Sequence, residues 1–261
     1  CTGITRPTAG RIAVSGFDIV ADPIRAKERI GVVSDAAGLY TEMDAWGNLL
    51  FFASLHNIPS GKAAARAEHL LRLFGLNDWR HSPVGTFSTG MKKHLAIAVA
   101  LMHEPAILFL DEPTTGLDVQ SARQLRTIVH DLPDHGTTVF LTTHYIEEAD
   151  RLCHRIAIIS GGRVVAEGTP AELKDGAQGE HAIDLCLDRD ANGVAGALAQ
   201  EPCIREVLVT GERLRLRVED PAVVFPLLLD TLGSHGLKVL SINTARPSLE
   251  DAFVRLTGLR S

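Results

Sequence analysis

The sequence predicts an α/β fold built on a parallel sheet. Three short apolar runs, AILFL (106–110), TVFLTT (138–143) and RIAIIS (155–160), have the length and composition of buried strands. Predicted helices at 119–132 and 145–153 separate these runs. Strands that alternate with helices are joined by right-handed crossovers, which makes the strands parallel and covers the faces of the sheet.

The residues before these strands predict a largely helical region. Two short strands and three helices are expected, in chain order 10–15, 30–33, 44–56, 60–74 and 91–103. Gly75 follows the second helix, where a glycine commonly ends a helix, and the turn FSTG (87–90) opens the third with Ser88 as its N-cap. The helices indicate a helical subdomain at about 40–103.

The composition changes at KDGAQGE (174–180), a polar stretch with glycines that is typical of a linker. Upstream, Gly161 and Gly162 predict a hairpin between RIAIIS and RVVAEG. Downstream, strands and helices follow in the order β-α-β-β-α-β, at 181–188, 191–200, 204–210, 213–219, 221–234 and 237–243, before a last helix at 248–258. This order is typical of a small α+β ferredoxin-like module. We therefore predict two domains, 1–175 and 176–261.

Charge and composition argue against several classes of protein. The formal net charge is -6 over 261 residues, with a pI of about 6.0, whereas proteins that bind nucleic acid present a basic surface. No apolar run approaches the length that spans a bilayer, so a membrane role would be peripheral. The 4 cysteines form no C-x-x-C pair and indicate reduced thiols in the cytoplasm. We expect a cytoplasmic protein with no nucleic-acid partner.

Two carboxylates and a histidine end successive strands of the predicted sheet. Asp111 and Glu112 close AILFL, and His144 closes TVFLTT. In an open α/β sheet, ligands bind beyond the carboxyl ends of the strands, so these groups are expected at one edge. The residue types suit phosphoryl transfer: Asp111 can hold Mg²⁺ and Glu112 can polarise an attacking water. His144 could donate to a γ-phosphate or orient that water. The alternative is that the acids only terminate their strand.

Three segments occur in one order at familiar separations: FSTGMKK (87–93), ILFLDEPTTGLD (107–118) and LTTH (141–144). They resemble the signature loop, the Walker B motif with its D-loop, and the switch histidine of ABC-transporter ATP-binding subunits. The resemblance extends over residues 1–175, and PSLEDAFVRLTG (247–258) is similar to the tail of the ABC-2-type exporter branch. FSTGM in place of the commoner LSGGQ also resembles sodium-export and drug-resistance relatives.

The resemblance implies a P-loop NTPase-like ABC ATPase core, made of the parallel sheet and the helical subdomain, that binds ATP with Mg²⁺. It implies an ATPase that powers a separate membrane permease from the inner face of the cell membrane, as a homodimer or beside a second ATP-binding subunit. Ser88, Thr89 and Gly90 would contact the γ-phosphate of ATP held by the opposite subunit. Asp118 would be the D-loop acid between the two sites, with a plain turn acid as the alternative.

Several positions depart from the family's pattern. Ser34 and Asp35 follow the strand IGVV, where a proline-glutamine pair is usual and the glutamine touches Mg²⁺ and the permease. Asp35 is either a metal ligand, harder and charged, or a solvated loop acid. On the signature helix, Val99 replaces the usual arginine and His94 replaces arginine, glutamine or lysine. Either the helix has lost an internal ion pair, or both substitutions are simply tolerated.

The sequence contains no G-x-x-x-x-G-K-[ST] phosphate loop. The nearest match, HNIPSGKA (56–63), has His56 in place of the first glycine and Ala63 in place of the hydroxyl that binds Mg²⁺. In the family, the text resembling TGITRPTAG follows the loop by one helix, so we expect the loop upstream of Cys1 and the chain to be N-terminally truncated. The alternative is a non-hydrolysing partner that supplies only signature and D-loop to another subunit's ATP. The cargo stays open among sodium, a drug, an antibiotic and a lipid.

Overall fold

The structure is a computed structural model that describes residues 2–34, 38–176, 181–245 and 248–257. The chain falls into two compact units, 1–144 and 145–261. The boundary predicted between residues 175 and 176 rests on a change in sequence composition, and it stays a prediction. Throughout the described ranges, every helix is too short or too polar to traverse a lipid bilayer.

The first unit contains a small hairpin, a parallel sheet and α-helices. Its elements are β1 (Ala13–Val14), β2 (Phe17–Asp18), α1 (Pro23–Lys27), β3 (Ile30–Val33), α2 (Ala45–Leu55), α3 (Ser60–Leu73), α4 (Thr89–Ala100), β4 (Ile107–Asp111), α5 (Val119–Asp131) and β5 (Thr138–Thr142). Apart from β1, the strands and helices predicted for this unit are confirmed, with small shifts at their ends. β1 is short because Ser15 and Gly16, both at positive φ (48° and 83°), turn the chain directly into β2, which the sequence did not predict.

The sheet of the first unit places β4 between β3 and β5, with all three strands parallel. The predicted parallel arrangement is therefore confirmed for these strands. The register pairs Val33 with Leu110 and Asp111 with Thr142, so β4 and β5 finish level at one edge. Leu108 and Leu110 are buried in the main core, together with side chains of α2, α3 and α4. This packing fixes β4 and, with it, the position of the acids at its end.

Two strands differ from the prediction of buried strands in one sheet. Among the described strands β5 lies at an edge, which leaves the Phe140 side chain about half exposed. Segment 156–160 was expected to continue the parallel sheet, but within the described residues it pairs only with 163–168, antiparallel, in the second unit. The reason is local, because Gly161 and Gly162 both adopt positive φ (57° and 75°) and close the predicted tight hairpin.

The second unit contains the hairpin and an antiparallel sheet covered by helices. Its elements are α6 (Ile146–Leu152), β6 (Ile156–Ser160), β7 (Arg163–Gly168), α7 (Pro170–Gly176), β8 (His181–Leu187), α8 (Asn192–Leu198), β9 (Ile204–Thr210), β10 (Arg213–Val218), α9 (Pro221–Ser234), β11 (Val239–Ala245) and α10 (Leu249–Thr257). The larger sheet has the order β11-β8-β10-β9, which confirms the predicted ferredoxin-like module. Leu185 and Leu216 of its strands pack with Val194 of α8 and Leu228 of α9 in one buried core.

A stacked pair of histidines joins two helix ends to β3 in the first unit. The ring centroids of His56 and His103 lie 3.9 Å apart, and the rings are parallel within 2°. His103 Nε2 lies 3.0 Å from the carbonyl oxygen of Ile30, and because a carbonyl only accepts, the ring proton is on Nε2. Burial is the main cause that lowers the pKa of His103 from 6.5 to about 4. The charge of His56 adds to this effect and the Ile30 carbonyl opposes it.

We expect His103 to make the protein less stable in mild acid. Below pH 6.5 the unfolded chain binds a proton at this residue, whereas the folded protein binds it only near pH 4, so stability falls through that window. The parent should lose roughly 2 kcal/mol of unfolding free energy as the pH falls through this window. His103→Gln keeps a donor toward Ile30 but has no titrating ring, so this loss should be absent in the variant. Urea unfolding across that window measures the effect, with the exposed His69→Gln as control. Equal pH dependence in the parent and His103→Gln would contradict this origin of acid sensitivity.

Candidate functional site

The level ends of β4 and β5 bring the predicted acids and histidine together. Asp111 is the last residue of β4, and the backbone nitrogen of the next residue, Glu112, donates to the carbonyl oxygen of Thr142 at 3.0 Å. The Thr142 hydroxyl donates to Oδ1 of Asp111 and holds that carboxylate over the end of β5. His144 follows β5 and reaches back to Glu112. The structure therefore assembles all three side chains that the strand order predicts for this edge.

The Glu112 carboxylate is held on both oxygens. His144 Nδ1 lies 2.9 Å from Oε1 and donates its proton, and the Thr115 hydroxyl donates to Oε2 at 3.1 Å. The hydrogen bond from His144 lowers the pKa of Glu112 most and that from Thr115 next, while the charge of Asp111 raises it. Glu112 is thus an oriented carboxylate that is ionised at neutral pH. With 42% of its side chain exposed, it is accessible to water.

The backbone of Glu112 adopts a left-handed conformation, with φ of 44°. That region is uncommon for a residue with a Cβ and costs about 1 kcal/mol. The turn after β4 accompanies it, since the Thr115 backbone nitrogen donates to the Glu112 carbonyl oxygen at 3.2 Å. The same turn brings the Thr115 hydroxyl beside the carboxylate. Backbone strain is therefore found at a residue whose carboxylate is held on both oxygens.

Glycine at position 112 should give a more stable fold than alanine. Both substitutions remove the carboxylate of Glu112, but only glycine accepts a φ of 44° without steric cost. We expect Glu112→Gly to exceed Glu112→Ala by about 1 kcal/mol in unfolding free energy, measured by urea titration. The same pair at Glu68, inside helix α3, is the control, and there glycine should be the less stable by about 1 kcal/mol. Greater stability of Glu112→Ala would mean that the turn is not strained.

The predicted signature residues lie at the start of α4. Ser88 is the N-cap, as predicted, and its hydroxyl oxygen accepts the backbone N–H of Met91 at 3.2 Å. Thr89 and Gly90 begin the helix and leave backbone N–H groups at its positive end. A Cβ on Gly90 would lie 2.7 Å from the hydroxyl oxygen of Ser121, so a side chain there would displace Ser121. Glycine therefore allows α4 to approach the start of α5.

Asp118 is the N-cap of α5. Its carboxylate accepts the backbone N–H of Ser121 at 2.9 Å and the Ser121 hydroxyl at 2.7 Å. These two hydrogen bonds, the backbone one first, lower the pKa of Asp118. A turn acid accounts for all of these contacts. A role for Asp118 between two subunits stays a proposal.

A cavity of about 270 Å³ joins the signature turn to the acidic edge. Thr89 of the signature turn and Thr115, which donates to Glu112, both line it, together with Lys92 and Lys93. Leu39, Thr41 and Val84 complete its described wall. Hydroxyl and ammonium donors in one cavity favour an anionic occupant. The sequence signal that could have identified Thr115 is a hydroxyl residue close behind the acids in DEPTT.

Of the two predicted metal ligands, Asp111 and Asp35, the structure describes only Asp111. Asp35 lies outside the described residues. Within the described ranges, no cluster of three or more His, Cys, Asp or Glu side chains could hold a metal ion. Mg²⁺ usually keeps several waters and takes one or two carboxylates plus substrate phosphates. A single carboxylate, Asp111, with one oxygen fixed by Thr142, fits that use.

Known proteins match the chain over nearly its whole length. Residues 1–115 match the family described as ABC transporter, and residues 168–257 match the family described as ATP-binding protein DrrA1-3-like, C-terminal domain. The daunorubicin resistance ATP-binding protein DrrA3 of Streptomyces coeruleorubidus is 40% identical, over 98% of this chain and 80% of that protein. The linearmycin resistance ATP-binding protein LnrL of Bacillus subtilis (strain 168) is 34% identical, over 98% and 83%.

A solved structure of an ATP-binding subunit of an ABC transporter is similar in fold. It superposes with a TM-score of 0.61 and 27% identity, over 67% of this chain and 73% of that chain. This likeness confirms the predicted ABC ATPase fold, and the relatives imply ATP hydrolysis coupled to transport. The chain therefore belongs to the ATP-binding subunits of ABC transporters, in the branch that includes the daunorubicin resistance ATP-binding proteins.

Proposed function

We propose that this chain provides the metal-and-water side of an ATP site in an ABC-2-type exporter. The observation that carries the proposal is the Glu112 carboxylate, oriented by His144 and Thr115 beside Asp111. In this proposal Asp111 holds Mg²⁺, Glu112 is the catalytic carboxylate, and His144 is the switch residue that orients it.

The proposed reaction is in-line hydrolysis of ATP. A water oxygen forms a bond to the γ-phosphorus, the bond from that phosphorus to the bridging oxygen breaks, and a proton of the water passes to Glu112. Glu112 is suited to this step because its low pKa keeps it ionised and its two donors hold it in one orientation. Mg²⁺, when bound, neutralises charge on the phosphates.

The signature turn serves a second ATP in this proposal. Ser88, Thr89 and Gly90 contact the γ-phosphate of ATP held by the opposite subunit, either a second copy of this chain or another ATP-binding subunit. The support is a helix of 12 residues whose first N–H groups lie at its positive end. Asp118 lies at the same interface and communicates between the two ATP sites. The dimer works with a membrane permease, at the inner face of the cell membrane.

We also propose that none of the 261 residues forms the phosphate cradle. No G-x-x-x-x-G-K-[ST] occurs in the sequence, and the nearest match, at 56–63, runs from the end of α2 into α3. A phosphate loop follows a strand, so this segment has the wrong predecessor. Titration of the 261-residue chain with Mg-ATP should give only weak binding, and tight binding by the chain alone would contradict the proposal.

Hydrolysis by the assembled transporter tests the proposed function. Membranes that contain the permease and a form of this protein that carries a phosphate loop should release phosphate from ATP in the presence of Mg²⁺, and membranes that contain the permease alone should not. Export is then followed as loss of a labelled cargo from energised vesicles, with sodium and the two classes of antibiotic named by the relatives as first candidates. The absence of hydrolysis that depends on this protein would overturn the proposal.

A further inference from the structure

Two lysines and no carboxylate line the described wall of the cavity beside the signature turn. Lys93 is buried, with 6% of its surface exposed, and Lys92 is half-buried. Among the described residues, no ion pair or hydrogen bond is made by the ammonium group of Lys92. An ammonium that is partly withdrawn from water without a counter-charge costs free energy, and a bound anion would offset that cost. The cavity is therefore electrostatically incomplete as it stands.

The donors of the cavity come from one helix face and one neighbouring loop. Lys92 and Lys93 follow Thr89 by three and four residues on α4, so the three side chains lie on the same face. Thr89 is the first residue of this helix, where the helix dipole is positive. Thr41, before α2, contributes another hydroxyl to the wall. Ammonium and hydroxyl donors at the positive end of a helix form a suitable site for a small anion.

Thr115 connects this donor set to the acidic edge. Its side chain lines the cavity, and its hydroxyl donates to Oε2 of Glu112 at 3.1 Å. A hydroxyl has a single proton, so Thr115 offers the cavity no donor while this hydrogen bond is made. An anion in the cavity would thus be held by the lysines and lie one side chain away from the carboxylate that is proposed to activate water.

The size and lining of the cavity limit the anion to a small one. Its volume is about 270 Å³, below the range of about 300–1,000 Å³ that is usual for drug-sized ligands. Its described wall also has no aromatic ring on which a nucleotide base could stack. The small anion that the neighbouring site would produce is inorganic phosphate.

We propose that this cavity is a product site, which binds the inorganic phosphate that ATP hydrolysis at Glu112 releases. Lys92 is its principal cation. Released phosphate is repelled by the negative charge of Glu112 and attracted by Lys92 and Lys93, so the cavity draws the product away from the catalytic carboxylate. The inference rests on the proposed function and adds a binding site for one of its products.

Titration of the 261-residue chain with inorganic phosphate tests the site directly, because this binding needs neither hydrolysis nor a phosphate loop. Lys92→Met keeps most of the side chain but removes the ammonium group, and should raise the Kd for phosphate about tenfold. Lys92→Arg keeps the charge, and its Kd should stay within about threefold of the parent's.

Lys62→Met is the matched control. Lys62 is an exposed lysine of helix α3 and belongs to the segment that imitates a phosphate loop, so its loss changes the net charge equally. Its Kd should equal that of the parent. A Kd that Lys92→Met leaves unchanged, or that Lys62→Met raises as much, would overturn the inference.

Thermal unfolding at constant ionic strength shows whether the variants fold. Lys92→Met removes a charge that has no described partner, so it should unfold no earlier than the parent in the absence of phosphate. Millimolar phosphate should raise the unfolding midpoint of the parent and of Lys62→Met more than that of Lys92→Met. Equal rises in all three proteins would mean that phosphate acts on the whole surface and would overturn the inference.

Inhibition by phosphate separates the product site from the proposed function. In membranes with the permease and a form of the protein that carries a phosphate loop, added phosphate should inhibit hydrolysis, and Lys92→Met should raise the inhibition constant about tenfold. Phosphate binding by the chain without such inhibition would assign the cavity to a group of the permease and overturn the inference. Hydrolysis that is lost in Glu112→Gln would leave the proposed function intact in that case, whereas absence of hydrolysis would overturn both.

Discussion

Glutamine at position 112, in a form of the protein that carries a phosphate loop, should lower ATP hydrolysis by the transporter about 10²- to 10⁴-fold while nucleotide binding is retained. The amide has nearly the size of the Glu112 carboxylate, and its oxygen can still accept from His144 Nδ1, so the turn keeps its geometry. The substitution removes the negative charge that polarises water and the oxygen that takes its proton. Phosphate release at saturating Mg-ATP, in membranes with the permease, measures hydrolysis, and equilibrium binding of labelled ATP measures retention.

Glu104→Gln is the matched control for this experiment. Glu104 is also a glutamate at positive φ (52°), and 75% of its side chain is exposed away from the acidic edge. The control should hydrolyse ATP at the parental rate. If Glu112→Gln also hydrolyses near that rate, Glu112 is not the catalytic carboxylate. That result would favour the hypothesis that this chain is a non-hydrolysing partner and that the catalytic carboxylate belongs to another subunit.

The grouping of Asp111, Glu112 and His144 was predictable because it depends on one topological rule. Parallel strands that are neighbours end at the same edge, so residues that follow the two strands meet whatever the details of packing. The structure obeys the rule, with Asp111 paired in register with Thr142. The N-cap role of Ser88 was predictable for a similar reason, since capping depends only on a short polar side chain before a helix.

The hydroxyl groups of Thr115 and Thr142 were not predictable in the same way. Thr142 meets Asp111 only because the register of β4 and β5 places them level, and a slip of one residue would turn either side chain away. Thr115 meets Glu112 only because the turn between them includes a left-handed residue that is not glycine. A linear pattern of apolar and polar residues carries neither the register nor that dihedral angle.

The strand predicted at 155–160 is confirmed, but the prediction that it joins the parallel sheet was wrong, for a related reason. An apolar run predicts that a strand is buried, but it does not indicate which sheet the strand joins. The run was grouped with 106–110 and 138–143 because helices separate the three. Its partner in the structure is 163–168, since the intervening turn at Gly161 makes the local pairing immediate. Closing a short turn costs less conformational entropy than closing a long crossover, and this favours the local pairing.

Alanine at position 31 should destabilise the first unit by about 2–3 kcal/mol. Gly31 lies in the middle of β3, beside the end of α4. Glycine is needed there because a side chain would not fit, and not because the backbone has a positive φ. A Cβ there would lie 2.7 Å from the carbonyl oxygen of Ala100, 2.9 Å from Leu108 Cδ1 and 3.1 Å from Pro105 Cγ. The closest of these atoms belongs to the backbone, so relief requires the helix end or the strand to move.

Gly61→Ala is the control for Gly31→Ala, because Gly61 lies in helix α3 with nothing within 4 Å of an added Cβ. It should raise stability by about 0.5 kcal/mol, since alanine favours a helix. Thermal and urea unfolding of both variants measure the difference, and equal stability would mean that β3 and α4 separate easily. The Gly31→Ala protein should also lose ATP hydrolysis at a lower temperature than the parent. The reason is that β3 pairs with β4, and β4 ends in Asp111. If the variant loses hydrolysis at a lower temperature than it unfolds, the geometry of the acidic edge is more sensitive to this contact than the stability of the fold is.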